Sequence, residues 1–201
     1  IASCTAQGGW PPSAPAPLNP PLCHVLMDMV IVIDKSGSMN DVHHAVEDFG
    51  ADLVREFVLG SDGGAIAIVT FSDSANVISS LSTEEFTLVS ALHQSSAPHG
   101  GTNMNAGMQA GVTLLDQSSR LNLPNLERIM VLITDGVQNS GFGGDSAAIE
   151  TAASVKGQGI SARAHHISPL YPLMPYSRGS LVALTSQHCS RPAFQVHSSR
   201  P

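Results

Sequence analysis

Residues Val25–Asn40 read VLMDMVIVIDKSGSMN, and the rest of the chain is arranged around this segment. Met29–Ile33 is a short, continuous apolar run, the pattern of a parallel strand that is buried on both faces. Asp34, Ser36 and Ser38 follow at its carboxyl end, where open α/β sheets place their ligand sites. One carboxylate and two hydroxyls form a set of hard oxygen donors suited to Mg²⁺, Mn²⁺ or Ca²⁺. The segment therefore predicts a divalent-cation site at the edge of a parallel sheet.

Two later segments complete a pattern. Gly100–Asn103 (GGTN) precedes a predicted helix, and Val131–Gly136 (VLITDG) closes a second apolar strand. With D-x-S-x-S, and in this order, these segments resemble the metal-ion-dependent adhesion site of von Willebrand factor type A domains. The resemblance covers nearly the whole chain after about Cys23. It implies that a Mg²⁺ ion, or Mn²⁺ or Ca²⁺, is held by five side chains: Asp34, Ser36, Ser38, Thr102 and Asp135. Taken singly, Thr102 also fits an ordinary helix cap and Asp135-Gly136 an ordinary turn.

Loop positions beside these ligands are candidates for a rim that contacts a partner. They are Lys35, Met39, Asn40, Asn103, Gln138, Asn139 and Phe142. The lysine, next to Asp34, could steer an incoming carboxylate, or could be an exposed charge with no such role.

Hydrophobic periodicity predicts a doubly wound α/β fold. We expect a mostly parallel, six-stranded sheet with one antiparallel edge strand and helices on both faces, as in Rossmann-like type A domains. The predicted strands are 29–33, 65–72, 76–81 (antiparallel), 128–134, 160–167 and 193–197, and the helices are 41–59, one opening at 83–85, 104–117, 146–156 and 180–187. Members of the family usually end with a further helix, which we expect to be absent or to lie beyond Pro201.

Composition limits the possible functions. The chain has 201 residues, 42% hydrophobic and 12% charged, which fits one type A domain over 23–201 preceded by an extended Pro-rich linker over 1–22. The net charge is −7 and no basic stripe occurs, which argues against nucleic acid as a partner. No apolar run is long enough to predict membrane insertion. Without an initiating Met or a leader, the chain is expected to be a mature or excised form.

Two features bear on the cellular compartment. Cys4, Cys23 and Cys189 fit a secreted protein with one disulfide and one spare thiol, or else three thiols of a cytosolic protein. Ser13–Pro17 (SAPAP) resembles the hydroxyproline-glycosylation segments of plant and algal wall proteins, or is a plain spacer. We expect secretion to the cell surface, matrix or wall. The resemblance of the SAPAP segment would make the protein a glycoprotein.

The leading functional hypothesis is a non-enzymatic adhesion module that binds a partner's Asp or Glu through the metal. One alternative is a structural building block of an extracellular fibre, matrix or wall, whose metal is not used for regulated ligand exchange. Another is an intracellular subunit of a larger machine, for example beside an ATPase. An enzyme is the least expected class, because the sequence has no G-x-S-x-G motif and no P-loop.

Overall fold

The computed structural model describes residues 24–136 and 144–167. Five strands form one sheet in the spatial order β3-β2-β1-β4-β5, parallel throughout except for the antiparallel edge strand β3. The strands are β1 Met27–Asp34, β2 Gly64–Phe71, β3 Ala75–Ser82, β4 Glu127–Thr134 and β5 Ser161–His166. The predicted mixed α/β sheet with an antiparallel edge is confirmed. The expected sixth strand, 193–197, lies outside the described residues.

Within the described residues, four α-helices connect the strands: α1 His43–Arg55, α2 Glu85–His93, α3 Met104–Asp116 and α4 Gly144–Gly157. The helix predicted over 41–59 is shorter than expected. The chain first forms a 3₁₀ turn over Gly37–Asp41, which includes Ser38 of the predicted metal loop. At the other end it leaves the helix early, because Leu59 forms a bridge beside Gly64.

Strand β1 is buried along its whole length and divides the core into two layers. On one face, Ile31 and Ile33 belong to a cluster with side chains of α1 and α2, including Phe49 and Leu92. On the other face, alternate β1 residues such as Val32 join a cluster with α3 and α4. Helices on both faces of the sheet are thus confirmed, and they hold the end of β1 in a fixed position.

An ion pair closes the end of the sheet that lies away from the predicted metal loop. Asp28 of β1 is fully buried and accepts a hydrogen bond from Arg120 Nε at 2.9 Å. Arg120 Nη1 also donates to the carbonyl oxygens of Gly60 and Gly63, at 3.1 and 3.0 Å. One guanidinium therefore ties β1 to the turn that leads into β2.

Several sequence-based expectations fall on residues that the structure does not describe. These are the linker over 1–22, the helix over 180–187, any final helix, and the pairing of Cys4, Cys23 and Cys189. Among the described helices, none combines the length and the apolar character needed to cross a membrane.

Candidate metal centre

Asp34 is the last residue of β1, and both of its carboxylate oxygens are held in place. The backbone N–H of Ser36 donates to Oδ1 at 2.8 Å, and the hydroxyl of Thr134, at the end of β4, donates to Oδ2 at 2.6 Å. Asp34 is 1% exposed, so burial fixes its rotamer as well. The neighbouring parallel strands β1 and β4 therefore present one oriented acid at their shared carboxyl edge.

The two serines of the loop are hydrogen-bonded to each other at a spacing that is compatible with an octahedral cation. Ser36 Oγ and Ser38 Oγ are 3.1 Å apart. Oxygens on adjacent vertices of an octahedron, each about 2.1 Å from the ion, are separated by about 3.0 Å. Ser36 is buried whereas Ser38 is exposed, so the pair runs from the protein interior to the surface. The donor set and its spacing both fit Mg²⁺ or Mn²⁺.

The segment that carries Thr102 is bonded directly to the serine loop. Gly37 N donates to Gly100 O at 3.1 Å, and His99 N donates to Lys35 O at 2.8 Å. The Thr102 side chain is buried, at 1% exposure, at the start of α3. Sequence reasoning left Thr102 as either a ligand or a helix cap. The cap is instead its neighbour Asn103, whose Oδ1 accepts from Ala106 N at 3.1 Å.

Asp73 is a further residue at this edge that the sequence analysis missed. Its Oδ1 accepts from Gly101 N at 2.9 Å, and its carbonyl oxygen accepts from Asn103 Nδ2 at 3.1 Å. Gly100 has φ of +72°, and a Cβ there would collide with the Asp73 carboxylate. The signal was available, because Asp73 follows β2, the parallel neighbour of β1, at its carboxyl end.

Asp135 completes the predicted set from the end of β4. It is partly exposed, and the turn after it uses Gly136 at φ +134°, a conformation that favours glycine. Gly136 N donates to Thr134 Oγ1 at 3.2 Å, so one hydroxyl links the Asp135 turn to Asp34. The structure thus brings the segments of all five predicted ligands to one edge of the sheet.

The pKa of Asp34 is perturbed mainly by burial. Burial raises the pKa of Asp34; hydrogen bonds from Thr134 and Ser36 oppose that rise, and the charge of Asp135 adds to it. In the described part of the chain, no cluster of three or more His, Cys, Asp or Glu side chains is arranged to hold a metal. A cation at this edge would therefore depend on hydroxyl oxygens as well as on the two acids.

The prediction of an exposed rim is wrong for three residues, which are buried. Lys35 is 3% exposed, because its ammonium is directed under α1 to Glu47, with Nζ and Oε1 2.5 Å apart. Met39 is fully buried, since the 3₁₀ turn directs it into the core, and Asn103 is occupied as the cap of α3. Asn40 is exposed and remains a candidate. The other three, Gln138, Asn139 and Phe142, lie outside the described residues.

Comparison with known proteins identifies the family. A family model described as the von Willebrand factor type A domain matches residues 28–198. The chain belongs to this family. The match begins at the first buried acid of β1 and includes every predicted ligand, so the resemblance inferred from the three motifs is confirmed.

Individual relatives of this type A domain are distant. The thrombospondin-related anonymous protein of Plasmodium falciparum is 27% identical over 130 residues, which is 59% of this chain and 22% of that protein. The chain thus spans 22% of the length of this curated relative.

Solved structures share the fold at low sequence identity. The manganese-loaded TRAP protein of Plasmodium vivax has a TM-score of 0.63 at 20% identity, with 82% of this chain and 73% of that chain covered. Proximal thread matrix protein 1 of the mussel byssus has a TM-score of 0.58 at 23% identity, over 71% and 36% of the two chains. The same mussel protein has been solved with zinc in its MIDAS motif.

Proposed function

We propose that this type A domain is a non-enzymatic interaction module that binds an acidic side chain of a protein partner through a divalent cation. The observation that carries the proposal is the 3.1 Å spacing of Ser36 Oγ and Ser38 Oγ beside the oriented carboxylate of Asp34. Thr102 and Asp135 lie on segments that the same hydrogen-bond network joins to this loop. Ser36, Ser38 and Thr102 would hold the ion directly, and the two acids would bind it directly or through water.

The balance of charge supports a carboxylate as the ligand. Asp34 and Asp135 supply two negative charges, which would neutralise a divalent ion without a large surplus, and the remaining donors are neutral hydroxyls. A bound Mg²⁺ or Mn²⁺ would supply a Lewis-acidic position that a partner's Asp or Glu can complete. The exposed side of the site, at Ser38 and Asn40, is where such a residue would approach.

The sequence argues against catalysis, because it has no G-x-S-x-G motif and no P-loop. Hydrogen bonds from Ser36 N and Thr134 Oγ1 hold the Asp34 carboxylate in one orientation, and each of its oxygens keeps a lone pair that can bind a cation. We assign no reaction to the site.

Similarity to a thread matrix protein of the mussel byssus supports an extracellular location. The relatives include the manganese-loaded TRAP protein and a byssal thread matrix protein with a zinc-occupied MIDAS. Mg²⁺ is the ion that we assign, with Mn²⁺ or Ca²⁺ as substitutes. The likeness to a byssal matrix protein also favours a second candidate, a building block of an extracellular fibre or wall whose metal is not exchanged.

The test is calorimetric titration of the chain with Mg²⁺ and Mn²⁺, with and without an excess of a short acidic peptide. We expect metal binding that tightens with peptide, and peptide binding that a chelator abolishes. Asp135→Ala should lose metal binding and keep its fold, whereas Asp52→Asn, an exposed acid on α1, should behave as the parent. A metal affinity that is the same with and without peptide would favour the structural building block. Absence of metal binding in the parent would refute both candidates.

A further inference from the structure

A buried ion pair lies directly beneath the candidate metal loop. Lys35 stands between Asp34 and Ser36 in sequence, yet its ammonium is directed inward and reaches Glu47 Oε1 at 2.5 Å. The two side chains are 3% and 5% exposed. Glu47 belongs to α1, so the pair fastens the loop after β1 to the helix that covers that face of the sheet.

Glu47 also binds a second loop. Ser95 Oγ, which follows α2, donates to Glu47 Oε1 at 3.0 Å, and His44 Nδ1 donates to Glu47 Oε2 at 3.2 Å. Burial alone would raise the pKa of Glu47. Hydrogen bonding and charge from Lys35, with hydrogen bonds from His44 and Ser95, outweigh burial and lower the pKa. The side chain is therefore a buried carboxylate with three donors from three separate segments.

The backbone of Lys35 extends the same connection to both ligand-bearing loops. Lys35 N donates to Phe71 O at 2.7 Å, and Lys35 O accepts from His99 N at 2.8 Å. His99 begins the segment that leads to Thr102. Fixing the Lys35 side chain thus fixes one residue that joins the serine loop, the end of β2 and the Thr102 loop.

Stability alone does not account for a pair of this kind. Removing two charges from water is costly, and apolar side chains of similar volume often replace a buried pair without loss of stability. The surrounding core would accept such a replacement, because Val46 and Phe49 of α1 already pack into an apolar cluster. What apolar side chains cannot supply is the direction that three hydrogen bonds impose on one carboxylate.

We propose that the Lys35–Glu47 pair is a positioning element that sets the distance between the serine loop and the Thr102 loop, and so determines the affinity of the site for its cation. The metal-affinity part of this inference rests on the proposed function. The loop-positioning part concerns the metal-free chain and stands independently of it.

The test compares a double variant, Lys35→Met/Glu47→Leu, with the parent chain. Because it removes one positive and one negative charge, its matched control is Arg55→Gln/Asp52→Asn, an exposed pair on the same helix with Nη1 and Oδ1 3.4 Å apart. The first readout is amide hydrogen exchange of Gly37 and His99 in metal-free protein. The second is the Mn²⁺ affinity, measured by calorimetry.

We expect the double variant to keep a melting temperature near that of the parent. Exchange at Gly37 and His99 should accelerate at least about tenfold, which is the factor expected for the loss of a single hydrogen bond to a charged group. Mn²⁺ affinity should fall about 10- to 100-fold, as for other residues that orient metal ligands. The control pair should leave all three quantities unchanged.

Unchanged exchange and unchanged Mn²⁺ affinity in the double variant would overturn the inference. Faster exchange in the double variant, together with a parent chain that binds no Mn²⁺, would uphold loop positioning and refute the proposed function. Should the double variant fail to fold, Glu47→Gln takes its place, since it keeps the volume and removes only the charge. Parental exchange rates in that variant would likewise refute the proposal.

Discussion

The hydroxyl of Thr134 connects both acids of the candidate site. It donates to Asp34 Oδ2 at 2.6 Å and accepts from Gly136 N at 3.2 Å, the residue after Asp135. Thr134→Val keeps the shape of the side chain and removes both bonds. Asp34 would then present an oxygen to a methyl group, and the Asp135 turn would lose its link to β1. The variant therefore tests the orientation of the two acids, because both acids themselves are left unchanged.

The expected loss of metal affinity follows from the role of the hydroxyl in orienting a metal ligand. The hydrogen bond from Thr134 Oγ1 to the Asp34 carboxylate is short and almost wholly buried, so it holds the acid in one orientation. Removing a group that orients a metal ligand lowers metal affinity about 10- to 100-fold, which corresponds to about 1.4–2.7 kcal/mol. We therefore expect Thr134→Val to bind Mn²⁺ about 10- to 100-fold more weakly than the parent.

Thr70→Val is the matched control for this measurement. Thr70 lies on the same sheet and is equally buried, at 5% exposure, but its hydroxyl donates only to the neutral carbonyl oxygen of Asn76, at 3.4 Å. Calorimetric titration with Mn²⁺ should give the parental affinity for Thr70→Val. If Thr134→Val also binds as the parent while Asp135→Ala does not bind, the hydroxyl has no part in orienting the acids and the reasoning fails.

Two further predictions concern stability. Burial and the charge of His166 lower the pKa of His165 below its ordinary 6.5, so as pH falls the unfolded chain takes up this proton before the folded chain does and stability is lost. Urea unfolding at pH 7 and pH 5 should therefore show a smaller loss for His165→Phe than for the parent, and equal losses would contradict this assignment. Gly107→Ala would place a Cβ 2.7 Å from Phe71 Cδ1, and thermal unfolding should show a destabilisation of about 1–2 kcal/mol after the gain in helix propensity. Gly157→Ala should show no such loss, because the added Cβ would have no atom within 4 Å apart from its chain neighbours and the backbone of its own helix.

The strand pattern and the metal motif could be predicted because both are local. The apolar run of β1 ends where the structure ends the strand, and Asp34 stands at that end as expected. The antiparallel edge followed from the short connection between β2 and β3, at Ser72–Ser74. Each inference needed only residues that are close in sequence.

The position of Lys35 could not be predicted in the same way, because it is decided by contacts distant in sequence. Its direction depends on Glu47 of α1 and on Ser95 beyond α2. One signal was present: Glu47 lies on the same face of the predicted helix as Gly50 and Val54, which are buried. A charged residue on an apolar helix face indicates a buried partner, although the sequence does not say which cation supplies it.

The two acids of β1, Asp28 and Asp34, lie at opposite ends of the strand, and their charges are compensated in different ways. Asp28 is permanently neutralised by Arg120, a cation that the chain itself carries and cannot release. Asp34 receives its hydrogen bonds from neutral donors, the backbone of Ser36 and the hydroxyl of Thr134. Depletion of divalent ions should therefore loosen one end of the molecule and leave the other intact. The local concentration of free cation would then determine how ordered the edge at Asp34 is, while the rest of the domain stays folded.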